Sequence, residues 1–275
     1  MSLDEAQTRA LISRSLEDDL AFGPDITSLA TVSDAGVSTA TVGARQHGVV
    51  AALDVLNWAL PDFTVSHVPD GTSVSPGSVV ATVTGPTLEL LTAERTILNM
   101  ICHASGIATE TARWVSAVSG TGAQIRDTRK TLPGLRNLQK YAVSVGGGTN
   151  HRMGLGDEAL IKDNHVAAAG GVVQALEKVR ATYPSARVEV EVDTLEQFRE
   201  VLPLAPDEIL LDNFSVAEVT EAVSLRNFSD SPVRLEASGG LNLDVAHAYA
   251  STGVDFLAVG ALTHSVRVLD LGLDF

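Results

Sequence analysis

Hydrophobic and polar positions follow two rhythms along the chain. Residues 4–20 place Ala10, Leu11, Ser15 or Leu16, and Leu20 near one face, the spacing of an amphipathic helix. FGPDIT, residues 22–27, supplies the turn that stops it. VSTATVGARQHGVVAAL alternates as a strand and then passes into a helix through Trp58 and Leu60. FTVSHV reads as a short strand, and VPDGTSVSPGSVVATVTGP puts turn residues between Val-rich strands. TLELLTAERTILNMICHASG reads as a helix with one stripe of Leu88, Leu91, Leu98 and Cys102 and a second of Leu90, Ile97 and Ile101. A helix apolar on most sides is a buried one. Arg95 falls on the first stripe and needs an anion, either Glu89 or Glu94 of the same helix or one from outside.

From Gly122 the rhythm changes to βα units. GAQIRDTRK, EALIKDNH, RVEVEVD, EILLDNF, VRLEASGG and VDFLAVGAL read as strands, with helices between them. A seventh strand is expected near GGG–HR. The last stretch, VRVLDLGLDF, alternates and is expected to return as a strand to the N-terminal domain. The pattern predicts an α/β protein: an incomplete parallel β/α barrel of about seven strands with an N-terminal α+β sandwich domain. The expected domains are 1–105, rejoined by the tail 265–275, and the barrel at 106–264.

Composition narrows the classes. Hydrophobic residues are 45 % and aromatics 4 %, so the core is built from Val, Leu, Ile and Ala, as in barrels with many βα units. Cys102 is the single cysteine, which excludes an intrachain disulfide and a Cys-based zinc site. The polar, acidic start lacks the basic and apolar regions of a signal peptide, and no uncharged apolar run reaches membrane-spanning length. A cytoplasmic protein without a membrane partner is expected. The net charge of −15 disfavours nucleic acid.

Against that acidic background, residues 126–152 hold six of the 19 Lys and Arg (Arg126, Arg129, Lys130, Arg136, Lys140, Arg152) and one acid, Asp127. A proportional share would be about two. A charge run is usually a solvated face. Here it is interleaved with TRK, a GGG turn, HR and IKDNH, which suits a polyanionic small molecule held by several fixed cations. The strand-end positions point the same way. Lys130, Lys162, Glu191, Asp212, Ser238 and Gly260 all lie at or near the C-terminal end of a strand, where a parallel barrel gathers its site.

TRKTLPGLRNLQKYAVSVGGGTNHR followed by LIKDNH resembles the signature of the quinolinate phosphoribosyltransferase family, and the likeness runs from about Leu16 to Leu262. The resemblance implies phosphoribosyl transfer from 5-phosphoribosyl-1-pyrophosphate to quinolinate with decarboxylation, in NAD biosynthesis. It implies a homodimer with a shared site, and leaves a hexamer open. Arg129, Arg152 and the partner's Arg95 would clamp the dicarboxylate, with Thr128, His151 and Lys162 completing the pocket. Lys130 and Lys162 would meet pyrophosphate, with His264 a weaker candidate. Glu191 and Asp212 would bind ribose hydroxyls, Mg²⁺, or both. The 5′-phosphate would rest on Ser238, Gly239 and Gly240 and on Val259, Gly260 and Ala261. Glu191, Asp212, Lys162 and Lys130 are thus the expected catalytic set. Ala52 stands where the family pattern leads one to expect glycine.

Three rivals remain at this point, one of them a non-catalytic module that binds a phosphate ligand. A Schiff-base lyase would use Lys162 as nucleophile. A molybdenum-transport-associated relative would keep the phosphate sites and change the substrate.

Overall fold

The computed structural model describes residues 1–32 and 36–275. In chain order the elements are α1 (Glu5–Asp19), α2 (Ile26–Thr31), β1 (Val37–Ala44), β2 (Gly48–Val49), α3 (Asp54–Ala59), β3 (Thr64–His67), β4 (Ser73–Val74), β5 (Val79–Pro86) and α4 (Thr87–Ala117). They continue with β6 (Gln124–Arg126), α5 (Arg136–Val145), β7 (Ala159–Ile161), α6 (Asp163–Ala169), α7 (Val172–Thr182), β8 (Val188–Val192), α8 (Leu195–Val201) and β9 (Glu208–Asp212). The last are α9 (Val216–Phe228), β10 (Arg234–Ser238), α10 (Leu243–Ala250), β11 (Phe256–Ala258), α11 (Ala261–His264) and β12 (Leu271–Asp274).

The chain forms two compact units. The first comprises Met1–Ala112, Thr131–Gly147 and Ala261–Phe275, and the second Arg113–Lys130 and Gly148–Gly260. In the first, an antiparallel sheet runs β12-β1-β5-β3. The alternating tail does return to it: β12 pairs with β1, setting Leu271 opposite Ala44 and Asp274 opposite Thr41. Helix α4 is longer than the sequence pattern indicates, because Gly106 lies within it. A Cβ there would strike the Arg267 carbonyl, so this glycine lets strand-bound chain pass against the helix and does not end it. Leu90, Ile97, Leu98 and Ile101 of α4 are buried. Arg95 and Asn99, one turn apart, are exposed. The expectation of a buried Arg95 is therefore corrected: the helix is open along that one edge.

The second unit is the βα part. Its sheet is six-stranded, with order β6-β11-β10-β9-β8-β7 and every pairing parallel. Near GGG–HR, where a further strand is expected, a single parallel bridge joins Arg126 to Thr149. Parallel strands point successive side chains to opposite faces. Val188, Val190 and Val192 of β8, Ile209 and Leu211 of β9, and Leu235 and Ala237 of β10 are buried and form one hydrophobic face. The other face carries Glu189 and Glu191, Glu208, Leu210 and Asp212, and Glu236 and Ser238. The site is built on that face.

Candidate active site

In the second unit a cavity of about 370 Å³ is lined by Thr128, Arg129, Lys130, His151, Arg152, Leu160, Lys162, Glu191, Leu210, Asp212, Glu236, Ser238 and Ala258. Nine of these were expected from sequence. The period of two explains three of the other four: Leu160 and Lys162, Leu210 and Asp212, Glu236 and Ser238 are each two residues apart and share one face of their strand, and Ala258 ends β11. Each strand offers a polar residue at its C-terminal end and a second residue one step deeper.

The cations arrive from two loops tied together. Strand β6 ends at Arg126, four residues before Lys130, so TRK is loop and not strand. Thr128 Oγ1 accepts the Lys130 N–H at 3.0 Å, a local turn that shapes this loop. Asp127, fully buried, accepts the His151 backbone N–H at 2.9 Å and the Asn150 side-chain N–H at 2.6 Å. Arg129 and Arg152 are brought together as a result. Burial holds the Arg152 guanidinium below its usual range, and the charge of Arg129 adds to that. Arg152 gives one N–H to the Glu158 carbonyl at 3.0 Å, and Arg129 Nε is buried with no hydrogen-bond partner. Two guanidiniums beside each other, one with an orphaned buried donor, form a receptor for a planar anion.

The opposite wall is acidic. Glu191, with a side chain only 12 % exposed, accepts from Lys162 Nζ in a short ion pair. Burial raises the Asp212 carboxyl, Asp193 raises it further, and Lys162 and Lys130 oppose them. His165 Nδ1 accepts the Lys162 backbone N–H at 3.0 Å, and the Lys162 carbonyl accepts the His165 N–H. Asp163, Asn164 and His165 thus form the first turn of α6, and His165 fastens the lysine's backbone.

Gly239 and Gly240 follow Ser238, with φ of +90° and +61°. Val259 does not suit the phosphate role expected of its N–H, which is donated to the Arg126 carbonyl at 2.9 Å. Gly260 follows it in the same unit. Ala261, His264 and Arg95 belong to the first unit and do not line this cavity. His264 Nδ1 lies 2.6 Å from Ser265 Oγ. Lys140, expected either to join the cation cluster or to be solvated, is fully buried in the first unit.

Sequence reading missed the layer beneath the cavity. Arg126 donates to Glu208 at 2.5 Å and Glu236 at 2.8 Å and lies 3.5 Å above the Phe256 ring. Arg187 and Arg234 also hold Glu208. Glu189, Glu208 and Glu236 are each at most 1 % exposed. Burial pushes the Glu189 carboxyl up to about 8, with Glu208 adding to it, and the Glu236 carboxyl up to about 8, with Glu189 adding to it. The available signal was the same-face spacing of Glu189 with Glu191 and of Glu236 with Ser238.

Comparison with known proteins places this arrangement in a family. The description "Quinolinate phosphoribosyl transferase, C-terminal domain" matches residues 107–274, and the corresponding N-terminal domain matches residues 25–105. A nicotinate-nucleotide pyrophosphorylase (carboxylating) of Mycobacterium leprae is 55 % identical over 273 residues, covering 97 % of this chain and 96 % of that one. A probable nicotinate-nucleotide pyrophosphorylase (carboxylating) of Bacillus subtilis is 38 % identical, covering 99 % and 94 %. Among solved structures, the nicotinate-nucleotide pyrophosphorylase of Francisella tularensis matches with a TM-score of 0.94 at 36 % identity, covering 99 % of this chain and 97 % of that one. On these matches, the chain belongs to the quinolinate phosphoribosyl transferase family.

Proposed function

We propose that the chain transfers the phosphoribosyl group of 5-phosphoribosyl-1-pyrophosphate to quinolinate, releasing pyrophosphate and CO₂ and forming nicotinate mononucleotide. The observation that carries this reading is the juxtaposition of Arg129 and Arg152 in one cavity, with Arg129 Nε buried and without a partner. Two adjacent carboxylates on a pyridine ring match such a pair.

The roles follow from charge. Arg129 and Arg152 bind and orient the dicarboxylate. Lys130 and Lys162 face departing pyrophosphate. Glu191 and Asp212 favour the cationic sugar that forms as the C1–oxygen bond breaks. The pyridine nitrogen attacks that carbon and becomes cationic, so the electron pair of the breaking C2–carboxylate bond is held at C2 beside the cationic nitrogen as CO₂ leaves, and C2 then takes a proton from water. No protein nucleophile is required; positioning and preorganised charge do the catalysis. Ser238, Gly239 and Gly240 would receive the 5′-phosphate, since glycine permits close backbone approach.

Glu191 and Asp212 would hold Mg²⁺. Hard carboxylate oxygens suit the ion, and an Asp212 carboxyl raised by burial and by Asp193 stands where added positive charge is favourable. When bound, the ion would neutralise the leaving pyrophosphate. The tight acid clusters among the described residues, His151 with Glu158 and Glu189 and Glu189 with Glu208 and Glu236, do not include this pair. Phosphate oxygens of the donor would therefore complete the coordination.

A Schiff-base lyase is disfavoured by Lys162 itself. Its ammonium is engaged by Glu191, and an amine must be free of that proton to attack a carbonyl. We read the six-stranded sheet, with its bridge at Thr149, as an incomplete barrel. We also propose a homodimer in which Arg95 serves the partner's site. Its side chain is 68 % exposed with Glu94 4.0 Å away, and Leu20, Phe22, Ile26 and Leu29 of the same unit are exposed apolar residues. A cytoplasmic location goes with this reading. No helix among the described residues is long and apolar enough to cross a membrane.

Mixing quinolinate with the donor and Mg²⁺ should release pyrophosphate and CO₂ in equal amounts. Glu191→Ala or Asp212→Ala should lower turnover about a hundredfold or more. Calorimetric quinolinate binding should change little. An equal loss of binding and turnover would remove these two residues from their roles.

A further inference from the structure

The layer beneath the cavity holds a carboxylate that no substrate can reach. Glu189 is 0 % exposed and does not line the cavity, yet its Oε2 lies 2.7 Å from His151 Nε2. The other ring nitrogen decides what that contact is. His151 Nδ1 lies 2.7 Å from the backbone nitrogen of Arg152. An amide N–H only donates, so Nδ1 is the acceptor and carries no proton. Nε2 must then bear the ring proton, and it donates to Glu189.

Both ring nitrogens are therefore engaged within the protein. His151 contributes a fixed wall to the cavity and a fixed backbone to Arg152. Two acids hold residue 151 from separate sides: Asp127 takes its backbone N–H at 2.9 Å, and Glu189 takes its ring. The next acids are farther from the ring, Glu236 Oε1 at 3.8 Å from Nε2 and Glu158 Oε2 at 3.9 Å from Nδ1. Arg126, the cation of this layer, is committed to Glu208 and Glu236.

We propose that Glu189 is a positioning residue for dicarboxylate recognition: by accepting from His151 Nε2 it fixes the imidazole tautomer and orientation, and through the Arg152 N–H it fixes the guanidinium beside Arg129. This rests on the proposed dicarboxylate substrate. It assigns Glu189 to one substrate only, because Lys162, Glu191 and Asp212 are held independently of His151.

The test uses the full-length chain and steady-state kinetics with both substrates varied. Glu189→Leu removes the acceptor at similar volume and should raise the quinolinate KM about tenfold. The donor KM should stay within about twofold and kcat within about threefold. Glu189→Gln keeps an acceptor oxygen and should restore the quinolinate KM to within about twofold of the parent. An unchanged quinolinate KM in Glu189→Leu, equal rises in both KM values, or a Gln variant as impaired as Leu overturns the assignment. Where the Leu variant does not fold, ¹⁵N NMR of the parent decides. His151, identified by loss of its signals in His151→Asn, should show a protonated Nε2 and a bare Nδ1. A protonated Nδ1 overturns the proposal. Absence of any reaction in the parent would instead count against the substrate reading, and the nitrogen assignment would still stand or fall by the spectrum.

Discussion

The carboxylate of Asp127 accepts the backbone N–H of His151, residues 24 positions apart in sequence and 2.9 Å apart in space. That contact joins the loop bearing Arg129 and Lys130 to the loop bearing Arg152. The other carboxylate oxygen takes the Asn150 amide at 2.6 Å, so a buried acid serves two donors at once. Asp127→Asn would place an amide N–H₂ against one of them. The expected cost is about 1–3 kcal/mol of stability, the penalty of a buried donor left unmet. The quinolinate KM should rise more than the donor KM. Thermal unfolding and two-substrate kinetics check both parts.

Gly239 and Gly240 look interchangeable in sequence but face different surroundings. A Cβ on Gly239 would strike the Asn213 side chain and come within 2.9 Å of its backbone nitrogen, whereas one on Gly240 meets nothing within 4 Å. Both have positive φ, which costs an L-residue roughly 1–2 kcal/mol. Gly239→Ala adds a displacement of Asn213, whose side chain donates to Asp212 at 2.7 Å. It should therefore raise the donor KM about tenfold, while Gly240→Ala, whose Cβ meets no protein atom, raises it less. Equal kinetic effects of the two would contradict this.

How much of this was legible in the sequence depends on where a residue sits in its strand. Lys162, Glu191, Asp212 and Ser238 end apolar strands, and a polar residue there breaks the pattern visibly. Arg129 and Arg152 stood out because the chain is otherwise acidic. The deeper layer did not stand out. Glu189, Glu208 and Glu236 sit inside strands, where alternation with Val and Leu reads as a solvent-facing side. Only the sheet topology reveals that Arg126 reaches both Glu208 and Glu236, that Arg187 and Arg234 also hold Glu208, and that His151 takes Glu189. Gly106 misled for a similar reason: its role is a contact with residue 267, invisible in a local window.

Ala52 was legible as an oddity, and the structure supplies the reason. Its φ is +63°, the left-handed region, where the family pattern would put glycine. The Asp70 carboxylate holds it there, accepting the Ala52 N–H at 2.7 Å, the Leu53 N–H at 3.0 Å and the Tyr141 hydroxyl at 2.7 Å. Ala52→Gly relieves roughly 1–2 kcal/mol of backbone strain. It gives up one buried methyl, about 0.8 kcal/mol. The net expectation is a gain of about 0.5 kcal/mol, seen as a rise of roughly 1–2 °C in Tm with unchanged kinetics. A lower Tm would mean that the methyl's packing outweighs the strain.

The buried acids should also shape stability against pH. Burial first, and Glu189 second, push Glu236 up to about 8, against Arg126, which pulls it down. In the unfolded chain the carboxyl returns to about 4.3. Between these values the folded state binds more protons than the unfolded one, so stability falls as pH rises. The contribution is fully present below about pH 4.3 and is lost as pH passes through about 8. Glu189 titrates with it as a coupled pair, and Glu208, held by three arginines, adds to the Glu189 shift. Glu236→Gln stays neutral and can still accept from Arg126. Its Tm should fall less steeply than the parent's between about pH 5.5 and pH 8.5. Parallel curves for the two proteins would show that Glu236 is ionised across this range and that Arg126 outweighs burial.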